Sequence, residues 1–314
     1  RKFSDAFGVP LPIVQGGMGG VAGPDLVAAV SNAGGLGILP IWHLPVEQAI
    51  ADIERTRSLT EQPFAVNIRA DLHQTELIEV ASEAGISLFN LFWGDPTPSM
   101  PTIAAKGGQL IATVGDLKAA KTATDCGAIA LIVQGIEAGG HVLGEIPRDD
   151  LLQEIADANL SPVLIAAGGL ASPDDIIHVR SLGADAALGG TRFGVARESL
   201  AHEEYKRAII AAGHASTVRT TCFDGMWPDA PHRVLRNSTY EMWDAAGQPA
   251  EGQRPGEGDA ILAFPNGTKL PRYFVMTPGQ GMTGEIEASA MYAGMGVGEI
   301  EAEQTAAEIV ADLV

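Results

Sequence analysis

The chain has 314 residues, 46% of them hydrophobic and 19% charged, which excludes an intrinsically disordered polypeptide and fits one large domain with an appendage. With 39 acidic against 20 basic side chains the formal charge is −19, so a phosphate polyanion is repelled and nucleic acid is excluded as a partner. No run approaches the ~18 consecutive apolar residues of a membrane span, and the start is not a basic segment leading into an apolar one, so the sequence reads as a cytoplasmic protein with no membrane partner.

From Leu11 to Phe193 eight short β-rich runs alternate with helical stretches: LPIVQGGM, LGILP, FAVNI, SLFNLFW, QLIATV, AIALIVQG, PVLIAAGG and DAALGGTRF. Several are continuously apolar, as parallel strands covered on both faces must be. Successive strand ends, at Gln15, Leu39, Asn67, Phe92, Thr113, Gln134, Ala167 and Gly190, are each separated by chain enough for one βα unit. Eight such units in series specify a (β/α)8 TIM barrel rather than a doubly wound sheet. Helix starts at Gly23-Pro24-Asp25, Leu44-Pro45 and Ser172-Pro173-Asp174-Asp175 support the register.

Beyond residue 213 the periodicity changes. The reading is a barrel over 1–213, a lid or substrate subdomain over 214–283, rich in Gly, Pro and Asp and carrying Trp227 and Trp243, and a C-terminal helical stretch over 284–314 packed on the barrel.

In such a barrel the chemistry sits on loops that follow the strand C-termini, with a recurrent phosphate site after strands seven and eight. Those loops carry Gly168-Gly169 and Gly189-Gly190-Thr191, where residues without a Cβ let main-chain N–H groups approach a dianion and the threonine hydroxyl can also donate. Strand one ends in Gln15-Gly16-Gly17-Met18, a bare backbone against which a flat ring can lie, with Met18 as a soft apolar contact. Asn67 and Gln134 place amides at the ends of strands three and six, suited either to the donor and acceptor edge of a flavin or purine or to nearby loop backbone. Gly139-Gly140-His141 follows strand six, and a histidine behind a diglycine can reach the barrel mouth and transfer protons near neutral pH. His43, after Trp42, is the other histidine worth following.

Two motifs lead elsewhere. Gly279-Gln280-Gly281-Met282-Thr283-Gly284 matches GxGxxG, but too little chain remains to complete a dinucleotide-binding unit. Cys126 and Cys222 have neither CxxC nor Cys/His spacing, so they are read as reduced, mostly packing residues, with no disulfide and no metal site.

Taken in order, PIVQGGMGG, LVAAVSNAGGLGIL, FAVNI, VQGIEAGGH, VLIAAGGLASPDDI, LGADAALGGTRF and MYAGMGVGEI resemble the nitronate monooxygenase family, formerly called 2-nitropropane dioxygenases, over nearly the whole chain. The AGGL and GGT pair alone would also suit IMP dehydrogenase, whose loop cysteine has no counterpart here. The resemblance implies FMN as cofactor. It implies that Gly16, Gly17 and Met18 contact the flavin, that Asn67 and Gln134 bond its edge, that Gly139 and Gly140 adjoin it, and that Gly168, Gly169, Gly189, Gly190 and Thr191 hold its phosphate. His141 matches the family's active-site histidine, while Val142-Leu143-Gly144 departs from the usual continuation.

The function so implied is oxidation of a nitronate or nitroalkane with O2 to a carbonyl compound and nitrite. The alternative is an NAD(P)H-dependent enzyme reducing a quinone or an enoyl thioester through the same cofactor, and a third reading is a flavin-binding protein without turnover. A homodimer is allowed but not required.

Overall fold

Residues 2–314 are described by the computed structural model. All eight expected strands form: β1 (Ile13–Gln15), β2 (Leu36–Pro40), β3 (Phe64–Arg69), β4 (Leu88–Phe92), β5 (Gln109–Val114), β6 (Ala130–Gln134), β7 (Val163–Ala167) and β8 (Ala186–Gly189). They pair in parallel in chain order and close where Ile13 of β1 registers with Ala187 of β8. Helices α2 (Pro24–Asn32), α3 (Val46–Leu59), α4 (Thr75–Glu83), α5 (Met100–Ala105), α6 (Leu117–Asp125), α7 (Arg148–Asp157) and α8 (Pro173–Ser181) follow β1 to β7. Three begin as the sequence anticipated: Pro24 opens α2, Pro45 precedes α3, and Ser172 with Asp175 forms a capping box on α8.

The period-2 geometry of a strand explains why these runs are continuously apolar. Leu36, Ile38, Ala65, Leu88, Ile111, Ala130, Ile132, Val163 and Ile165 fill the barrel interior, while Ile13, Leu39, Val66, Phe89, Leu110 and Leu131 pack against the helices. The short helix α1 (Lys2–Phe7) sends Phe3 and Phe7, both buried, into the interior cluster, and Lys2 Nζ donates to the Pro162 carbonyl. Burying each ring contributes about 2 kcal/mol.

Beyond the short α9 (Thr191–Gly194) and α10 (Glu203–Ile210) the chain forms two small antiparallel sheets. In the first, β9 (Thr217–Thr220) pairs with β10 (His232–Leu235), and β10 pairs in turn with the extended pair Gly140–His141 of the β6 loop, His232 opposite His141. After α11 (Ser238–Ala245), the second sheet joins β11 (Ala260–Ala263) to β12 (Lys269–Pro271) and β13 (Thr283–Gly284).

The expected helical stretch from Gly284 onward is a correction. Only α12 (Ala306–Asp312), capped by Thr305 and Glu308, is an α-helix, and it packs on α2 and α9. The chain before it makes single 3-10 turns at Ile286–Ala288 and Met295–Glu299. Gly294, Gly296 and Gly298 fall in one short span, each costing about 1 kcal/mol in a helix, and their missing side chains are used in tertiary contacts instead.

Candidate active site

At the C-terminal ends of the strands lies a cavity of about 660 Å3. The segment 214–283 contributes Trp227, Phe264, Val275, Met276, Thr277 and Met282 to its wall, and not one Asp, Glu, Lys or Arg lines it among the described residues. Gly16, Gly17, Met18, Asn67, Gln134, Gly139, Gly140, His141, Gly168, Gly169, Gly190 and Thr191 all line this single space. Gly189 does not. Its carbonyl accepts from the Gly16 amide at 3.0 Å, and a Cβ there would meet the Phe193 ring at 3.3 Å, so it closes the barrel seam and packs on α9.

Strand alternation turns Asn67, Asn90 and Thr113 to the interior as the last polar layer before the mouth. Asn67 Nδ2 donates to Asn90 Oδ1 at 2.8 Å, and Asn90 Nδ2 donates to Thr113 Oγ1 at 3.1 Å and to the Ile111 carbonyl at 3.2 Å. This chain of amides fixes Asn67 with its Oδ1 buried, on the cavity wall and without a partner. Gly17 must be glycine beside it, since a Cβ would lie 2.7 Å from Asn67 Cβ.

Gln134 lines the cavity and also holds the loop that follows β6. Its Nε2 donates to the His141 carbonyl at 3.0 Å and its Oε1 accepts from the Leu143 amide at 2.9 Å. Each end of the amide makes one bond to the loop, so from the cavity wall Gln134 braces the segment that carries His141. Arg233 of β10 holds the same loop, its guanidinium donating to the Ile136 carbonyl from Nε at 3.0 Å and Nη2 at 2.9 Å.

The wall opposite is nearly pure backbone. Gly168 and Gly169 adopt φ of +120° and +67°, which side-chain-bearing residues rarely take. A Cβ on Gly296 would lie 2.7 Å from the Gly169 carbonyl oxygen, and one on Gly139 would lie 2.5 Å from the Gly294 amide nitrogen. Thr191 Oγ1 accepts from the Gly294 amide at 2.9 Å, which leaves its own proton to donate. Gly294 and Gly296 belong to the MYAGMGVGEI run, yet their place opposite Gly169 follows from a long-range contact that spacing does not encode.

His141 sits inside an aromatic box. Trp227 stacks on it at a ring separation of 3.8 Å and an angle of 15°, Trp93 meets it edge-on at 5.8 Å, and Tyr292 and His232 adjoin it at 5.5 and 5.3 Å. Burial is the main force holding the imidazole well below its ordinary pKa of 6.5, with the neighbouring His232 and the Arg69 cation adding to it, so His141 is neutral at pH 7. Its Nε2 is buried without a partner. His232 is neutral as well: Nδ1 faces the Ala230 carbonyl at 2.9 Å, Nε2 accepts from the Phe223 amide at 3.2 Å, and burial lowers its pKa to about 4. That pattern assigns Nδ1 as the protonated nitrogen.

Sequence reasoning did not assign Trp227, Asn90, Thr113 and Tyr292 to the site; only their positions in the folded chain reveal them. His43 does reach the wall, with much of its surface left exposed. Gly279 and Gln280 line the cavity too, but the GxGxxG run opens no helix and ends in β13. Burial pushes the Cys222 thiol above its ordinary range, and Cys126, half-buried at the end of α6, lies 3.1 Å from Thr97 Oγ1. Among the described residues no group of His, Cys, Asp and Glu could hold a metal, and no helix is long and apolar enough to cross a membrane.

FMN fits these residues. An orphaned acceptor at Asn67 suits a ring N–H, close packing of Gly17, Gly169 and Gly296 on their protein neighbours leaves main chain as the wall, and main-chain amides with Thr191 suit a phosphate without a lysine.

A family model described as nitronate monooxygenase matches residues 1–87 and 75–314. The (3aS,4S,5R,7aS)-5-hydroxy-7a-methyl-1-oxo-octahydro-1H-indene-4-carboxyl-CoA dehydrogenase of Rhodococcus jostii is 37% identical over 251 residues, 78% of this chain and 68% of that protein. The nitronate monooxygenase of Pseudomonas aeruginosa is 30% identical across 100% of this chain and 98% of its own length. Among solved structures, FabK from Thermotoga maritima superposes with a TM-score of 0.83 at 28% identity, covering 99% of this chain and 94% of that one. A nitroalkane oxidase from Streptomyces ansochromogenes gives 0.80 at 26% identity, covering 100% and 96%.

Proposed function

Since the chain belongs to the nitronate monooxygenase family and is a flavin-dependent oxidoreductase, we propose that its substrate is a small nitronate, oxidised with O2 to a carbonyl compound and nitrite. The observation that carries this reading is His141: a neutral imidazole with an unpartnered Nε2, on the wall of a cavity that has no charged side chain. A neutral imidazole can accept the α-proton of a nitroalkane at Nε2, or, carrying a proton there, donate it in a hydrogen bond to a nitronate oxygen. Bound FMN supplies the redox chemistry, taking electrons from the substrate and passing them to O2. The protein's share is to hold the substrate beside His141 and to keep water out with the lid residues Trp227, Val275 and Met282. The test is oxygen uptake with propyl-1-nitronate. His141→Ala should retain FMN and lose most of the uptake, whereas a variant as active as the wild type would remove His141 from the chemistry.

A second reading is favoured by the wall formed by Leu200, Phe264, Val275, Met276 and Met282, an apolar surface suited to an acyl chain. The Rhodococcus relative acts, by its name, on a carboxyl-CoA thioester. In that reading the enzyme uses NAD(P)H to reduce an enoyl thioester or a quinone. Anaerobic mixing with NADH or NADPH separates the two, because only this second enzyme loses its flavin absorbance at 450 nm rapidly (about that wavelength being a property of the cofactor).

A further inference from the structure

Six buried side-chain polar atoms lack a hydrogen-bond partner among the described residues, and four of them, on Asn67, His141, Trp227 and Thr277, belong to residues of the cavity wall. Asn67 and His141 are accounted for above. Trp227 is not: its Nε1–H is a donor only, it is desolvated, and no acceptor in the protein meets it. Leaving such a group unpaired costs about 1–3 kcal/mol, a cost that folds keep where a ligand removes it.

We propose that Trp227 is a further catalytic residue, whose indole N–H donates to an oxygen of the substrate alongside His141, and that Arg69 is its positioning residue. The inference rests on the reading that the substrate presents an oxygen to His141. Trp227 lies in the stack that makes this geometry stable. Arg69 Cζ is 3.4 Å from its ring centroid and the His141 ring 3.8 Å away, separations that two groups can share only on opposite faces. Phe92, Trp93 and Trp42 meet the indole edge-on at 5.8, 5.1 and 5.5 Å, so the ring cannot turn. Arg69 is itself nearly buried and gripped by Asp71 through two bonds, Nε to Oδ1 at 3.0 Å and Nη2 to Oδ2 at 2.6 Å. A cation against the π-face draws electron density from the indole and makes its N–H a stronger donor. In a cavity without charged side chains, that donor would complement a nitronate or carbonyl oxygen.

The test uses the FMN-loaded full chain labelled with 15N-tryptophan. Trp227→Phe, which keeps the stack, identifies the Trp227 indole signal by its disappearance; Trp243, whose Nε1 already donates to the Pro249 carbonyl at 3.0 Å, serves as an internal reference. Under anaerobic conditions propyl-1-nitronate and, separately, crotonyl-CoA are added. The Trp227 signal should move downfield with the probe that the wild type turns over, while Trp243 stays. Trp227→Phe should retain FMN, with kcat/KM about tenfold to a hundredfold lower. Arg69→Met should give a smaller loss and a smaller shift. A Trp227 signal that neither probe moves, or a Trp227→Phe enzyme with unchanged kcat/KM, overturns the proposal. A shift with crotonyl-CoA alone upholds it while refuting the nitronate substrate.

Discussion

The side-chain amide of Gln134 donates to the carbonyl of His141 at 3.0 Å and, from its other end, accepts the amide of Leu143 at 2.9 Å, so one barrel residue clamps the loop on both sides of the imidazole. Gln134→Leu leaves a carbonyl and an N–H unpaired, each costing about 1–3 kcal/mol where buried. The expected outcome is FMN retained, kcat reduced at least tenfold and a lower Tm. Kinetics with flavin spectroscopy and a thermal melt check it; an unchanged kcat would mean that β10 and Arg233 alone order the loop.

The glycine wall makes a sharper prediction. In Gly296→Ala the new methyl would sit 2.7 Å from the Gly169 carbonyl oxygen, a contact between backbone-fixed atoms that cannot relax by rotating a side chain. FMN affinity should fall at least tenfold, about 1.4 kcal/mol, and the flavin should be lost on desalting. Far-UV circular dichroism should be unaltered, which separates a damaged cradle from a damaged fold.

Asn67→Leu removes the unpartnered acceptor and also deprives Asn90 Oδ1 of its 2.8 Å donor. We expect weaker FMN binding and an altered flavin absorption envelope. Asn67→Asp, which keeps acceptors but loses the donor to Asn90, should be the milder of the two in affinity. Titration of the stripped protein with FMN decides; equal affinity for all three forms would exclude Asn67 from the ring edge.

Buried His232 and half-buried His141 link stability to pH. Burial lowers His232 to about 4 and holds His141 well below 6.5. The unfolded chain protonates them near 6.5 and the folded one resists, so their stabilisation is complete above about pH 6.5 and declines as pH falls toward 4. While one histidine is charged only in the unfolded chain, the slope is about 1.4 kcal/mol per pH unit. Urea unfolding at pH 7.5, 6 and 5 should show ΔG falling in that order, and His232→Asn should flatten the dependence. For the same reason the acid limb of kcat/KM should lie below pH 6.5.

Barrel, strand ends and most of the glycines that line the cavity were legible because most strands are short, continuously apolar runs that end in or lead into glycine or an amide. The same signal misled at Gly189: a diglycine after a strand looks identical whether it faces a ligand or, as here, the Phe193 ring. Gln134 was ambiguous for a related reason, an amide being equally suited to a cofactor and to a loop. Trp227 was legible only as an aromatic of the lid or substrate segment. Long-range contacts, such as the pairing of His232 with His141, set its segment beside the cavity.

That pairing makes His141 part of two structures at once, the loop of a barrel strand and the edge of the sheet that β9 and β10 form. A chain cut after residue 213 would therefore lose more than part of the cavity wall: the imidazole would forfeit its sheet neighbour, its stacking ring and the Val142 amide bond to Pro231 in one stroke. Turnover therefore reports on both segments at once, the barrel loop and the sheet laid against it.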